Sequence, residues 1–565
     1  MFYSSTRRSC FSAFFLLSAI LFFSSCRLYQ PTENAAASSP QPQIILPDSG
    51  EADFQVPAPN INLANPLVVS QRPDDVALCD KINRTIDESP YTDARWGFFA
   101  VSLKDGRVVC SRDGRKLFNP ASIEKTLTAI VALDKLGADF RWKTSVYAAK
   151  QLGADGTIDG DLTLYGTGAP DFDSAALENL VAQLQAKGLK HIKGNVVGDA
   201  SFFRGDTIGD GWTWNELQWY YGAEASALTF NENEGFVNVE NGIGKASNDY
   251  LHVAVGEDSS ANSQNTEVGG IKRGLEDNNF YIWGSSKNFG ARVSIHNPAE
   301  LAAKTLKESL EKKGITIDGT IQSRDWKSTD QLDVSKSVEL ASVESAGLGE
   351  IVKKMNKHSI NLYGELILRT VGKKFSDEVP GNIQLPQNVR GDDIVGAAIV
   401  KKWMIEHKAA TDEIEIHDGS GLSRIDFVTP EVFAKAFIYA AQSPFAKVFT
   451  DSLPIGGTDG TLGGRFGNVK GKVIAKTGTI TFVNSLAGYA ANKEGEVFTF
   501  SIISNNDTRK NGIHNVMDKA VTYLVTGIED NSAANTNAQK QDNSSNTNQN
   551  NGFYEQHILN NQSGR

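Results

Sequence analysis

Ser122 and Lys125 stand three residues apart in Asn119-Pro120-Ala121-Ser122-Ile123-Glu124-Lys125-Thr126-Leu127. On one turn of helix that spacing puts a hydroxyl and an amine on the same face, a nucleophile with its own base. Alone the pattern says little, because Ser-x-x-Lys arises by accident roughly three times in a chain this long. Two further stretches add chemistry. Ser359-Ile360-Asn361 places a hydroxyl and a carboxamide on one short turn between two helical patterns. Lys476-Thr477-Gly478-Thr479 ends a strand-like run, and Gly478 removes the side chain that would crowd a ligand lying along that strand. Taken singly, these residues read as helix caps and a solvated edge lysine. Their order along the chain is what singles them out.

The elements that must position them follow from apolar spacing. Ile123, Leu127, Ile130 and Val131 recur at helical intervals, with Pro120 where a proline fits a helix start. A helix at 76–86 is followed by strand, Asp-Gly turn and strand over 96–110, directly ahead of Ser122. Between about 146 and 340 the texture changes to short strand-like runs rich in Gly, Asn and Asp, broken by helical stretches at 173–187 and 299–313. That is a mostly β insertion with a smaller unit nested near 230–295. Helices are expected again at 345–356, after 361, at 395–407 and 430–441. Strands follow near 473–476, 485–490 and 497–504, and a closing helix at 515–525. The early hairpin and late strands then form one sheet from both ends of the chain. The catalytic domain spans 74–145 and 341–528, interrupted by 146–340.

At 565 residues the chain exceeds one ordinary core, and a formal net charge of -11 argues against nucleic acid as a partner. The eight histidines show no ligand spacing with cysteine or acidic residues, so neither a metal nor another cofactor is expected. Arg7-Arg8 and the short apolar run 11–23 read as an export signal over 1–26. The run ends in Phe23-Ser24-Ser25-Cys26, which resembles the lipobox of bacterial lipoproteins. That likeness implies a lipid on Cys26 and attachment to a membrane; an ordinary cleaved signal or retained anchor is the other reading. Arg27 is not the aspartate associated with inner-membrane retention, so in a Gram-negative cell the expected place is the periplasm, anchored to the outer membrane. Residues 27–73, rich in Pro, Ser, Ala, Asn and Gln, read as a flexible tether, and 529–565 as a disordered polar tail. Cys79 and Cys110 remain as an even pair in an oxidising compartment, a disulfide or two buried thiols.

Ser-x-x-Lys, Ser-x-Asn and Lys-Thr-Gly in this order resemble the signature of penicillin-binding proteins and serine β-lactamases. Three further features narrow the likeness: Gly211-Trp212-Thr213-Trp214-Asn215-Glu216, Asp418-Gly419-Ser420-Gly421-Leu422-Ser423-Arg424, and Asp459-Gly460-Thr461-Leu462 after Ser452-Leu453-Pro454. With the large insertion, they resemble D-alanyl-D-alanine carboxypeptidases of the penicillin-binding protein 4 (DacB) type, peptidase family S13, over residues 74–527. The resemblance implies an α+β transpeptidase-like fold, an antiparallel sheet with helices on both faces. It also implies a serine DD-carboxypeptidase, with DD-endopeptidase activity alongside, that acts on peptidoglycan stem peptides and is acylated by β-lactams. A serine β-lactamase, or an inactive peptidoglycan-binding lipoprotein, are the competing readings.

By the same resemblance Ser122 is the nucleophile and Lys125 its base, with a pKa depressed by desolvation and by the like charge of Lys476. Ser359 relays a proton to the leaving amine, and Asn361 holds Lys125 and the substrate backbone. Lys476, Thr477 and Thr479 receive the terminal carboxylate along the strand that Gly478 keeps open. The backbone N–H groups of Ser122 and Thr479 form the oxyanion hole. Glu216, Tyr221 and Arg424 are expected to hold the preceding residue of the stem peptide, such as diaminopimelate. Two departures stand out: Thr481 where some relatives carry glutamine, and Gly168-Ala169-Pro170-Asp171 where Gly-x-Gly-Asp-Pro is usual.

Overall fold

Arg95–Ser102 and Val108–Arg112 form the early hairpin, and the outer side of the first strand pairs antiparallel with Val497–Asn505 from the far end of the chain. The sheet continues through Val483–Ala491 to Val473–Ile480, giving five antiparallel strands with the Lys476 strand at one edge and Val108–Arg112 at the other. Both faces are covered, which is why these strands read as continuous apolar runs rather than alternating ones. Helices Pro73–Asp87 and Ile513–Thr526 cover one face, burying Ile82, Ile86, Met517 and Val521. Helices Glu124–Leu136 and Pro430–Gln442 cover the other. Ile123, Leu127, Ile130 and Val131 are all 0% exposed. Their burial contributes about 6–12 kcal/mol to holding the segment after Ser122 in place.

The computed structural model describes residues 50–240, 243–256, 270–283, 288–379, 391–508 and 512–528. The expected signal with Cys26, the first part of the expected tether and the polar tail lie outside the described residues. The later part of that tether, residues 50–72, lies against the domain instead of away from it. Val69 bridges Val108, with Ser70 donating to the Val108 carbonyl, and Leu67 is buried. The segment thereby covers an otherwise open sheet edge. Alternate apolar residues hold it, Ala52, Phe54, Val56, Ile61 and Leu63 packing on the core beside Leu67, with backbone pairing near Val69.

The inserted region starts with Lys143–Ala148 and closes with Val338–Glu344, and these two strands pair antiparallel. Because the chain leaves and returns at adjacent positions, residues 143–344 part from the flanking segments without prising them apart. The two strands belong to a five-stranded sheet with Leu162–Tyr165, Val196–Asp199 and Ile321–Arg324. Helices Ser174–Ala186 and Pro298–Lys312 accompany it. Between Glu234 and Trp283–Ser294 the chain makes two three-stranded sheets of its own. The Asp171 carboxylate accepts from the Ala346 N–H at 2.9 Å, so the departing Gly-Ala-Pro-Asp turn ties the insertion to the segment leading to Ser359.

A disulfide joins Cys79 on the first helix to Cys110 on the edge strand, with Cα atoms 4.8 Å apart. Among the described residues no helix is long and apolar enough to cross a membrane.

Candidate active site

Ser122 lies in a short 3-10 turn, Ala121–Ile123, ahead of the helix Glu124–Leu136, and not inside a helix begun at Pro120. The cause is Ala121, whose φ of +50° is left-handed and disfavoured for a residue with a Cβ. Three contacts hold it there. Asn119 Oδ1 accepts from the Ala121 N–H at 3.1 Å, and Ser485 Oγ donates to the Pro120 carbonyl at 2.6 Å. Gly421 packs so closely that a Cβ on it would come within 2.0 Å of the Ala121 carbonyl oxygen.

Lys125, 0% exposed, reaches three oxygens: Ser122 Oγ at 2.9 Å, Asn361 Oδ1 at 2.6 Å and the Ser420 carbonyl at 2.6 Å. The Asn361 amide is oriented by its Nδ2, which donates to the Tyr221 carbonyl at 2.8 Å, so Oδ1 faces the lysine. Asn361 Oδ1 and the Ser420 carbonyl can only accept. A neutral Lys125 therefore spends both N–H bonds on them, and its lone pair falls on the remaining direction, toward Ser122 Oγ. Burial pushes the Lys125 pKa down to about 7, against the pull of the carboxyl groups of Asp418, Glu365 and Glu124. Burial and the charge of Lys125 push Lys476 well below its ordinary value. The repulsion between Lys125 and Lys476 acts on both amines, and near Lys125 it is opposed by three carboxyl groups.

Ser359 caps the helix Leu348–His358 in a left-handed conformation, φ 58°, and the next helix starts at Asn361. The tight turn directs its hydroxyl toward Lys476, whose Nζ donates to Ser359 Oγ at 2.8 Å and to the Thr477 carbonyl at 2.7 Å. A Cβ on Gly478 would approach Ser485 Oγ to 2.2 Å and the Ser122 nitrogen to 2.9 Å. The glycine thus lets the strand close directly onto the nucleophile's turn. Thr479 Oγ1 donates to Asn484 Oδ1 at 3.3 Å, and Thr477 Oγ1 meets Thr461 Oγ1 at 2.8 Å.

Glu216 and Arg424 lie together, with Arg424 Nη2 3.1 Å from Glu216 Oε1 and Nη1 donating to the Thr481 carbonyl at 2.7 Å. Glu216 Oε2 is buried and has no hydrogen-bond partner among the described residues. Tyr221 packs with Ala121, Leu422 and Ile480 beside them. The pocket wall therefore presents a charge pair, where the residue types alone implied two separate charges.

Sequence reasoning assigned no role to the residues that hold this arrangement. Asp418, 0% exposed, accepts from the N–H groups of Ser420, Gly421, Leu422 and Ser423 at 3.2, 2.7, 2.9 and 2.9 Å. It also accepts from the Ser420 hydroxyl at 2.9 Å and the Trp212 indole at 2.8 Å. One carboxylate thus folds the loop that offers Ser420 to Lys125 and joins the Trp212 and Arg424 stretches. Glu124 lies fully buried next to Lys125 with no hydrogen-bond partner for its carboxyl group among the described residues, and burial with the nearby Asp418 raises its pKa well above the carboxylate range. The Asp-Gly-Ser-Gly spacing was the available signal for this loop. Among the described residues no cluster of His, Cys, Asp and Glu is arranged to hold a metal.

The chain has the fold of the penicillin-binding protein and serine β-lactamase class. The crystal structure of penicillin binding protein 4 (dacB) from Haemophilus influenzae superposes with a TM-score of 0.65 at 24% identity, covering 77% of this chain and 94% of that one. A D-alanyl-D-alanine carboxypeptidase of Actinomadura sp. is 29% identical over 460 residues, 76% of this chain and 81% of the relative. The D-alanyl-D-alanine carboxypeptidase DacB of Haemophilus influenzae is 27% identical over 422 residues, 72% of this chain and 84% of the relative. The model of the D-Ala-D-Ala carboxypeptidase 3 (S13) family matches residues 78–526, and the chain belongs to that family. It is an enzyme of the serine-peptidase type.

Proposed function

We propose that the chain is a DD-carboxypeptidase that also acts as a DD-endopeptidase, opening D-Ala-D-Ala termini and D-Ala-diaminopimelate cross-links of peptidoglycan through an acyl-enzyme on Ser122. The observation that carries this reading is the lone-pair direction of Lys125. Two obligate acceptors leave the amine only the serine hydroxyl to deprotonate.

In this reading Ser122 Oγ attacks the carbonyl carbon of the penultimate D-Ala while its proton passes to Lys125 Nζ. The oxyanion is met by the backbone N–H groups of Ser122 and Thr479. Ser359, held by Lys476, returns a proton to the leaving amine, and water then attacks the ester to free Ser122. Lys476 lies in a dry site, where an arriving carboxylate favours its protonated form; Thr477 and Thr479 add hydroxyl donors. The Glu216–Arg424 pair would have to open to meet the amine and carboxylate of the preceding residue's side chain, with Tyr221 as the wall. That set suits diaminopimelate, with Thr481 supplying less grip than a longer amide would.

The domain partition proposed is 74–145 with 341–528 for catalysis and 146–340 as the insertion. The sequence at 23–26, together with the disulfide, supports export, lipidation at Cys26 and a periplasmic place on the outer membrane. Metabolic labelling with a palmitate analogue, lost in Cys26→Ser, tests the anchor.

Fluorescent penicillin is expected to label the parent and not Ser122→Ala. Incubation with a pentapeptide and a cross-linked dimer muropeptide should release D-Ala from the first and monomers from the second. Rapid turnover of a chromogenic cephalosporin would instead make the protein a β-lactamase.

A further inference from the structure

Thr461 belongs to the Asp459-Gly460-Thr461-Leu462 stretch, for which the mechanism above has no use, yet its exposed hydroxyl lies 2.8 Å from that of Thr477. Its position is built from behind. Asp459 is fully buried; its Oδ1 accepts from the Ile455 N–H at 2.8 Å and its Oδ2 takes Lys357 Nζ at 2.5 Å. Lys357, 1% exposed, also donates to the Leu453 carbonyl at 2.8 Å. Gly460 lies flat on that lysine: a Cβ there would come within 2.8 Å of the Lys357 carbonyl oxygen. On the other side of Thr461, Leu462 is 0% exposed. Just ahead of Asp459, residues 454–456 run along the edge of the Lys476 strand, with Gly456 donating to the Val473 carbonyl and Ala475 to the Pro454 carbonyl. Thr461 is therefore a short exposed hydroxyl clamped between two buried anchors and set against the strand that faces substrate.

We propose that Thr461 is a specificity-determining residue that, together with Thr477, grips the terminal carboxylate of the substrate. This rests on the peptidase reading above. Two hydroxyls in mutual contact share one hydrogen bond, so one O–H is spent within the pair and the other is left to donate outward. The spent bond polarises the free one, and the rigid mount spares the cost of ordering it on binding. A carboxylate is the complementary group, since it only accepts.

The test compares second-order acylation of the full chain by benzylpenicillin, which carries a carboxylate, with that by its neutral methyl ester. Thr461→Val is expected to slow benzylpenicillin about tenfold, the usual worth of a hydrogen bond to a charged group, and to leave the ester within about twofold. Thr461→Ser, which keeps the hydroxyl, should behave as the parent with both. Parental rates for Thr461→Val with benzylpenicillin, or equal losses with both probes, would overturn the assignment. If the parent itself is not acylated at Ser122, the peptidase reading fails first and the Thr461 assignment falls with it. A labelled parent with an indifferent Thr461→Val removes only the latter.

Discussion

The Ser420 carbonyl and Asn361 Oδ1 share the work of orienting Lys125, because neither can give a proton back. What the amine does then depends on its own proton. With a pKa lowered to about 7, the neutral, base-competent fraction grows as pH rises through that value. Acylation by benzylpenicillin should therefore increase about tenfold between pH 6 and pH 8 before levelling. A stopped-flow pH series checks this, and a flat profile would mean that Lys125 is not the base. Lys125→Ala should slow acylation at least about a hundredfold, measured with the same probe. Asp418→Ala removes a single acceptor of six donors and leaves buried N–H groups unpaired. Loss of about 3–5 kcal/mol in stability is expected, read by urea denaturation.

At the scale of elements, the site depends on how closely the Lys476 strand lies on the Ser122 turn. Gly478→Ala puts a Cβ 2.2 Å from Ser485 Oγ and 2.9 Å from the Ser122 nitrogen, and the second of these is backbone that cannot swing aside. Acylation should fall about tenfold or more while the melting temperature changes by only a few degrees, since the strand can lift at its edge. A parental acylation rate would show that this spacing does not matter. The Lys357–Asp459 pair joins the helix before Ser359 to the segment alongside the strand. Lys357→Met leaves Asp459 as a buried, unpaired carboxylate and should cost about 3–5 kcal/mol, whereas the double change to two apolar residues should recover much of it. Chemical denaturation of the single and double variants separates these outcomes.

For the whole molecule, the two ends of the chain meet in one sheet, and everything between 143 and 344 leaves and returns through neighbouring strands. The Cys79–Cys110 bridge spans 31 residues and fastens the first helix to the edge strand farthest from Lys476. Closing a loop of that size stabilises by about 3–4 kcal/mol through the unfolded state. Reduction should lower the melting temperature by several degrees and leave acylation at 25 °C nearly unchanged. Loss of acylation in the reduced, still folded protein would show that the far edge of the sheet communicates with the site.

The sequence by itself determined the hairpin, the helix behind Ser122, the late strands and the three short motifs. Each of these is local, carried by apolar period, turn chemistry or residue order within a few positions. It also pointed to the side chains proposed to carry the chemistry. How they are arranged came from contacts between distant segments. Ala121 is left-handed because Asn119, Ser485 and Gly421, distant in sequence, hold it so; nothing in its neighbours marks it. Glu216 and Arg424 pair across 208 residues, turning two expected charges into one neutral wall. Residues 50–72 dock through a few alternate apolar side chains, Phe54, Val56, Ile61, Leu63 and Leu67, which a composition rich in Pro, Asn and Ala masks. Burial is what lowers the Lys125 pKa to about 7, and burial is a property of the folded surroundings.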